Sequence, residues 1–186
     1  MPDGAFSFDI DSCWDIDVDI SQLDFVINEP HLITTWWAAV FLKVEILAGD
    51  YYSPEGLKVR LWTKGMMPHS FKFLARVFHD KQKNQVIVKT DGDFNGIGTI
   101  SLNAVTKNKS QIHINWRTSV NNHYLYPLMI LLKPIFIANH RWAMRRGEQG
   151  IKQELIYRNA PQQDNMRQRQ KPTFPHSLFI SKIRNS

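Results

Sequence analysis

The sequence of 186 residues predicts an α+β domain in which an antiparallel sheet packs against one long C-terminal helix. Three observations lead to this prediction. Between residues 14 and 119, apolar and polar residues alternate in a series of short segments, as in strands with one buried face. Most turns between these segments are short and polar or contain glycine, which is typical of antiparallel connections. One long segment near the C-terminus has the period of an amphipathic helix instead.

The strands and short helices are predicted in a simple order. The first strand is predicted over 14–20, where four apolar side chains alternate with three aspartates. Two short helices should follow, because Ser21 is able to cap one over 21–28 and Pro30 suits the first turn of another. Further strands are predicted at 41–47, 57–62, 71–78, 85–91, 94–105 and 111–119.

The long helix is predicted over 135–158, with Pro134 near its first turn. Its apolar stripe, at about 100° per residue, comprises Phe136, Ile137, Ala143, Met144, Gly147, Ile151 and Leu155. Ala143 and Gly147 remove side-chain volume at the centre of this stripe. Two interpretations are open: the small residues leave room for a cavity, or they let the helix approach the sheet closely.

Composition and charge indicate a globular domain followed by a basic tail. With 43% apolar residues the chain is able to build a core, unlike a disordered protein. Residues 1–50 hold ten acidic side chains against one lysine, residues 51–158 carry a net charge of +11, and residues 159–186 carry +4. The first two regions are able to neutralise each other, so most of the visible excess of +6 belongs to the tail. The single cysteine, Cys13, excludes an internal disulfide.

We expect a cytoplasmic protein. The first thirty residues are acidic and lack the basic and apolar regions of a signal peptide. The most apolar stretch, 125–138, contains Pro127, Lys133 and Pro134, and it is shorter than the roughly twenty apolar residues that a membrane span requires.

Four motifs resemble the START and birch-pollen-allergen superfamily (SRPBCC), and in particular its polyketide cyclase/dehydrase-like branch. They are Trp36-Trp37, Gly65-Met-Met-Pro68, Asp93-Phe94-Asn-Gly96-Ile-Gly98 and Asn139-His140-Arg-Trp142-Ala-Met144-Arg-Arg-Gly147-Glu-Gln-Gly150. The resemblance covers 12–158 and leaves 159–186 as a basic, flexible tail. It implies the helix-grip fold, in which a curved antiparallel sheet wraps around the long helix and a deep apolar cavity lies between them.

The predicted ligand-binding residues are mostly aromatic. As a set they suit a solid core or a pocket equally well, and the resemblance favours the pocket. The apolar members are Trp36, Trp62, Phe71, Phe73, Phe94, Trp116 and Met144. Arg76 and Arg117 should point to solvent by alternation, whereas a bulge would turn them inward to hold an enolate or carboxylate oxygen. Asn139 either donates a hydrogen bond to a ligand carbonyl or ties the helix to a strand end.

His140 lies near the middle of the apolar stripe of the helix and is the candidate catalytic residue. In a cavity wall its imidazole would exchange protons near neutral pH. The alternative is a structural histidine of the core, whose hydrogen bonds are made to neighbouring groups. No metal or cofactor is predicted, because the sequence lacks a glycine-rich phosphate loop and H-E-x-x-H. The absence of G-x-S-x-G likewise argues against a hydrolase.

The resemblance implies a protein that binds a hydrophobic small molecule, such as a polyketide, an isoprenoid, a pigment or a lipid. A polyketide cyclase/dehydrase and a non-catalytic lipid carrier are both compatible with the sequence. In a second hypothesis, the basic tail contacts an anionic membrane surface, with a purely solubilising tail as its alternative. Nucleic acid is not an expected partner, because the aromatic side chains alternate inward.

Overall fold

A computed structural model describes residues 6–66, 70–92, 95–120 and 126–159. Its elements are β1 Phe6–Ile16, α1 Asp24–Asn28, α2 Ile33–Trp36, β2 Phe41–Ala48, β3 Leu57–Lys64, β4 Ser70–Asp80, β5 Gln85–Gly92, β6 Asn95–Thr106, β7 Lys109–Val120 and α3 Tyr126–Asn159. The described strands form one antiparallel sheet in the order β1-β7-β6-β5-β4-β3-β2. The predicted α+β architecture is confirmed. The predicted site residue Phe94, and the tail beyond Asn159, lie outside the described residues.

The first strand lies earlier in the chain than predicted. β1 pairs with β7 from Phe6 to Ile16, and this register ends opposite Ser110, at the start of β7. Residues after Ile16 therefore have no partner strand, although their alternation continues. Asp19 instead caps a short 3-10 helix, Ile20–Leu23, by accepting a hydrogen bond from the Ser21 main-chain nitrogen at 2.9 Å. The predicted cap at Ser21 is wrong for that reason.

The long helix begins earlier than predicted as well. α3 begins at Tyr126, and Pro134 lies inside it. Proline in a helix interior removes one main-chain hydrogen bond, yet it is also common in first turns, so it is an ambiguous signal for a helix start. None of the helices in the described parts of the chain is both long enough and apolar enough to span a membrane.

The two faces of the sheet differ in chemistry. The inner face is apolar and includes Trp14, Leu57, Val59, Leu61, Ala75, Val77, Ile112 and Ile114. On the outer face, the acidic strand β1 lies beside the basic strand β7. Arg117 Nε donates to Asp9 Oδ2 at 3.1 Å, and Lys109 Nζ lies 3.9 Å from Asp15 Oδ2. The acidic start of the chain is thus neutralised in part within the sheet.

The C-terminal half of α3 packs directly against the core. Trp14 and Trp37 meet edge to face with their ring centroids 5.3 Å apart. A Cβ on Gly147 would lie 2.5 Å from the Trp14 ring and 2.6 Å from the Trp37 ring. Only glycine allows so close an approach here. Ile151 and Leu155 continue this contact and are buried, and we call these five residues the packed end.

Candidate functional site

A cavity of about 300 Å³ lies between the inner face of the sheet, the short helices and residues 136–144 of α3. Its described lining is mostly aliphatic and aromatic. The aromatic lining residues are Trp36, Trp37, Phe41, Phe71, Phe73, Trp116 and Phe136. Such a space, with apolar walls and few polar groups, has the usual character of a small-molecule site.

The helical repeat explains why α3 contributes one wall. Phe136, Asn139, His140, Ala143 and Met144 line the cavity and follow the spacing of a single helix face. The small side chain of Ala143 leaves space in front of the sheet. Its carbonyl oxygen accepts a hydrogen bond from Trp37 Nε1 at 2.9 Å, which fixes the helix against the short helices.

Most of the predicted site residues in the described chain line this cavity. They are Trp36, Phe71, Phe73, Trp116, Asn139, His140 and Met144. They come from α2, β4, β7 and α3, so the fold brings together residues that are distant in sequence. Their roles in ligand binding stay predictions.

The structure places Trp62, Arg76 and Arg117 outside the cavity lining, and their predicted roles in ligand binding stay predictions. No register shift occurs at Arg76 or Arg117. Opposite Trp62 the β2 register shifts between Phe41 and Lys43, with the extra residue in β2. Alternation within their own strands therefore places all three side chains on the outer face of the sheet. Trp62 is half-buried there, with Lys43 Nζ 5.0 Å and Lys72 Nζ 5.4 Å from its ring centroid. Arg76 is exposed, and Arg117 pairs with Asp9.

Asn139 ties the long helix to the end of β3. Its side-chain Oδ1 accepts a hydrogen bond from the Met66 main-chain nitrogen at 2.8 Å. A Cβ on Gly65 would collide with the Asn139 amide, so glycine makes this contact possible. Of the two interpretations of Asn139, the structure shows the tie to a strand end.

His140 lines the cavity, and one of its imidazole nitrogens has no hydrogen-bond partner in the described chain. Its Nε2 atom is buried and makes no hydrogen bond to any described residue. Burial lowers the pKa of His140, which favours a neutral ring near neutral pH. A neutral imidazole in this position is able to accept a proton or to hydrogen-bond a ligand.

Lys64 is a site residue that sequence reasoning missed. It lines the cavity, only 1% of its surface is exposed, and burial lowers the pKa of its ammonium group. Its main-chain nitrogen donates to the Val40 carbonyl oxygen at 2.9 Å, which holds the end of β3 against the short helices. No sequence signal identified it, because a lysine before Gly65 has the ordinary composition of a turn.

The charged and titratable groups in the cavity wall are few. Among the described lining residues they are His31, Lys64 and His140, with no aspartate, glutamate or arginine. His31 is exposed, whereas Lys64 is buried. The described chain also contains no group of three or more His, Cys, Asp or Glu side chains arranged to hold a metal ion.

Comparison with known proteins identifies the fold. No family model and no curated protein matches the sequence. Among solved structures, the Zhui aromatase/cyclase from a Streptomyces species is similar over 82% of this chain and 96% of its own, with a TM-score of 0.67 and 10% identity. The chain has the helix-grip fold. A START superfamily protein from Mycobacterium smegmatis has a TM-score of 0.60 and 14% identity over 82% of this chain and 99% of its own.

Norcoclaurine synthase from Thalictrum flavum gives the same result, with a TM-score of 0.60 and 14% identity over 84% of this chain and 99% of its own. These likenesses confirm the resemblance to the START and birch-pollen-allergen superfamily at the level of the fold. They also confirm the predicted arrangement of a curved sheet, two short helical segments after the first strand and a long C-terminal helix.

Proposed function

We propose that this protein binds a hydrophobic small molecule in the cavity between α3 and the sheet. The observation that carries the proposal is the cavity itself, about 300 Å³ in volume and walled mainly by apolar side chains. This volume is at the lower end of the roughly 300–1,000 Å³ of typical ligand pockets, which favours a compact ligand. The aromatic walls suit a planar or polycyclic molecule, such as an aromatic polyketide or a pigment.

The similar solved structures support a ligand of this kind. One is named an aromatase/cyclase, and a norcoclaurine synthase structure was solved in complex with dopamine and hydroxybenzaldehyde. Burial of apolar ligand surface contributes about 25 cal/mol per Å², so an apolar body alone is able to supply useful affinity. A non-catalytic carrier would need only this burial of apolar surface to hold its ligand.

One observation favours catalysis as a second candidate function. The His140 Nε2 atom is buried in the cavity wall with no hydrogen-bond partner in the described chain. As a neutral base it would take a proton from a carbon next to a ligand carbonyl, leaving an enolate for ring closure, as in a polyketide cyclase. Replacement by glutamine keeps the size and polarity of the side chain but removes the base. We expect His140→Gln to retain ligand binding and to lose turnover.

Isothermal titration calorimetry with a neutral aromatic probe, naphthyl methanol, tests the binding proposal. We expect the wild-type protein to bind the probe. Ala143→Leu adds a side chain that projects into the cavity, and we expect it to weaken binding at least about tenfold, or about 1.4 kcal/mol. Val105→Leu is the matched control, because Val105 is exposed outside the cavity. Absence of probe binding to the wild-type protein, or equal binding by Ala143→Leu, would contradict the proposed site.

A further inference from the structure

Three cations lie side by side on the outer face of the sheet. Lys58 on β3 lies directly opposite Arg76 on β4, and Arg76 lies directly opposite Lys89 on β5. All three side chains are exposed. Residues opposite each other on neighbouring strands have their Cβ atoms about 5 Å apart, and like charges in such pairs destabilise a sheet. We call these three residues the cationic row.

The described chain does not compensate the cationic row. None of the ion pairs within the described residues includes Lys58, Arg76 or Lys89. Glu45 on β2 pairs instead with Arg60 at 2.8 Å, and Asp91 on β5 lies opposite an apolar residue of β4. Exposed charges of one sign that the fold leaves uncompensated are typical of a surface that attracts an anionic partner.

The surroundings of the row are basic and partly apolar. The basic side chains on this face of β2–β5 are Lys43, Lys58, Arg60, Lys72, Arg76 and Lys89, and the acidic ones are Glu45, Asp80 and Asp91. Leu74, two residues before Arg76, is 36% exposed. Ile97 on β6 lies opposite Lys89 and is 48% exposed. Exposed aliphatic side chains therefore border the row on two sides.

We propose that this face of the sheet binds a membrane surface that contains anionic phospholipids. The apolar stems of lysine and arginine let their charged ends reach the lipid headgroups, and each basic residue close to such a surface adds to the attraction. Leu74 and Ile97 enter the boundary between headgroups and acyl chains, as the apolar face of an interfacial helix does. The inference does not depend on the proposed function, because the cavity lies on the opposite face of the sheet.

The composition of this face favours lipid over the other anionic partners. Single-stranded nucleic acid stacks its bases on aromatic rings. Here lysines lie over the rings, with Lys43 Nζ 5.0 Å from the Trp62 centroid and Lys89 Nζ 5.1 Å from the Phe78 centroid. Lysine is depleted in protein–protein interfaces, yet four of the six basic side chains on this face are lysines.

Sedimentation of the full-length protein with vesicles tests this inference. One set of vesicles contains phosphatidylcholine alone, and the other contains equal parts of phosphatidylcholine and phosphatidylserine. We expect the wild-type protein to bind only the second set. The double variant Arg76→Gln, Lys89→Gln should weaken this binding at least about tenfold, since each basic residue at an anionic surface contributes about fivefold.

The matched control is the double variant Arg141→Gln, Arg145→Gln, which removes the same charge from exposed positions of α3. It should bind the phosphatidylserine vesicles like wild type. The variant of the cationic row should keep or raise the thermal unfolding midpoint, because it relieves repulsion between like charges. An unchanged or higher midpoint shows that its loss of binding is not a loss of folding.

The apolar part of the contact has its own comparison. Ile97→Gln removes an exposed apolar side chain beside the row and should weaken binding about threefold, because less apolar surface is buried in the lipid. Val105→Gln changes a residue that is 54% exposed near the other end of β6, and should bind like wild type. Equal effects of the two changes would contradict a contact centred on the row.

Three further results would overturn the proposal. The first is that the wild-type protein does not bind the phosphatidylserine vesicles, whether or not it binds a single-stranded oligonucleotide instead. The second is equal binding by wild type and the variant of the cationic row, which would place the contact elsewhere, for example in the basic segment 159–186. The third is an equal loss in the two double variants, because net charge alone would then control binding.

Discussion

Two successive segments of α3, residues 136–144 and 147–155, use the same helical face for different purposes. In the segment 147–155, Gly147 lies in direct contact with the Trp14 and Trp37 rings, and Ile151 is fully buried. In the segment 136–144, His140, Ala143 and Met144 border a cavity of about 300 Å³. Both segments contain a small residue on the face toward the sheet, at Ala143 and at Gly147. The comparison teaches that a small residue leaves space only where no large side chain from another element fills it.

Trp37, directly after α2, determines whether the space beside a small residue of α3 is filled or stays open. Trp37 occupies the volume in front of Gly147 and donates its indole N–H to the Ala143 carbonyl oxygen at 2.9 Å. It is therefore both part of the packed end and part of the cavity wall. Because the packed end stabilises the fold, the cavity at the other end need not be filled by side chains.

The largest expected effect comes from removing volume at the packed end. Ile151→Ala should destabilise the protein by about 2–5 kcal/mol, because Ile151 is fully buried and its loss opens a new cavity. Met144→Ala, in the cavity wall, should lower the free energy of unfolding by less than about 2 kcal/mol, since Met144 already borders open space. Urea unfolding of both variants measures the difference. Equal losses would break the distinction between the two ends.

Adding volume should have the next largest effect. Gly147→Leu should cost about 1–3 kcal/mol or more, because the new side chain collides with the Trp14 and Trp37 rings. Ala143→Leu, one helical turn earlier on the same face, should change the free energy of unfolding by less than about 1 kcal/mol, because it extends into the cavity. The two thermal unfolding midpoints provide the comparison. A larger loss for Ala143→Leu would show that the segment 136–144 is packed as well.

Loss of the tie at Asn139 should have a smaller effect, confined to the cavity end. Asn139→Ala removes the acceptor for the Met66 amide and should cost about 0.5–1.5 kcal/mol. Hydrogen exchange at the Met66 amide should become faster. Asn139→Asp keeps an acceptor oxygen and should preserve protection at this amide; rapid exchange in Asn139→Asp as well would contradict the assigned bond.

The pH dependence should be the smallest effect. Burial lowers the pKa of His140 from 6.5, so the unfolded chain binds this proton more readily than the folded one. Its contribution to stability is fully present above pH 6.5 and is lost as the pH falls toward the pKa of the folded state. His140→Gln should therefore flatten the loss of stability on acidification. His79, whose pKa burial also lowers, contributes in the same direction in both proteins. Identical pH profiles would contradict a buried, neutral His140.

Local patterns predict much of this fold because they follow from the backbone itself. Alternation identifies the inner face of β3 and β4, since successive side chains of a strand must point to opposite sides. The same rule places Arg76 and Arg117 outside the cavity. The wheel of α3 likewise places Asn139, His140 and Met144 on one side. The alternation near Trp14 correctly predicts a strand but not its bounds, because pairing with β7 determines where the strand begins and ends.

Other features depend on contacts between distant segments, which one sequence does not specify. Lys64 is buried because the end of β3 lies against the short helices, through the bond to Val40. Trp62 looks like a pocket residue by its type, yet it lies among lysines on the outer face. Nothing local distinguishes Ala143 from Gly147, because the difference comes from Trp14 and Trp37 on other elements.

Methyl NMR during titration with naphthyl methanol tests the central claim most directly. Met144 and Ile114 line the cavity, Ile151 belongs to the packed end, and Ile156 is 66% exposed. We predict that the Met144 and Ile114 methyl signals shift and show intermolecular nuclear Overhauser effects to the naphthyl ring, while the Ile151 signal stays in place. Shifts confined to the exposed Ile156, with Met144 and Ile114 unchanged, would contradict a ligand site between α3 and the sheet.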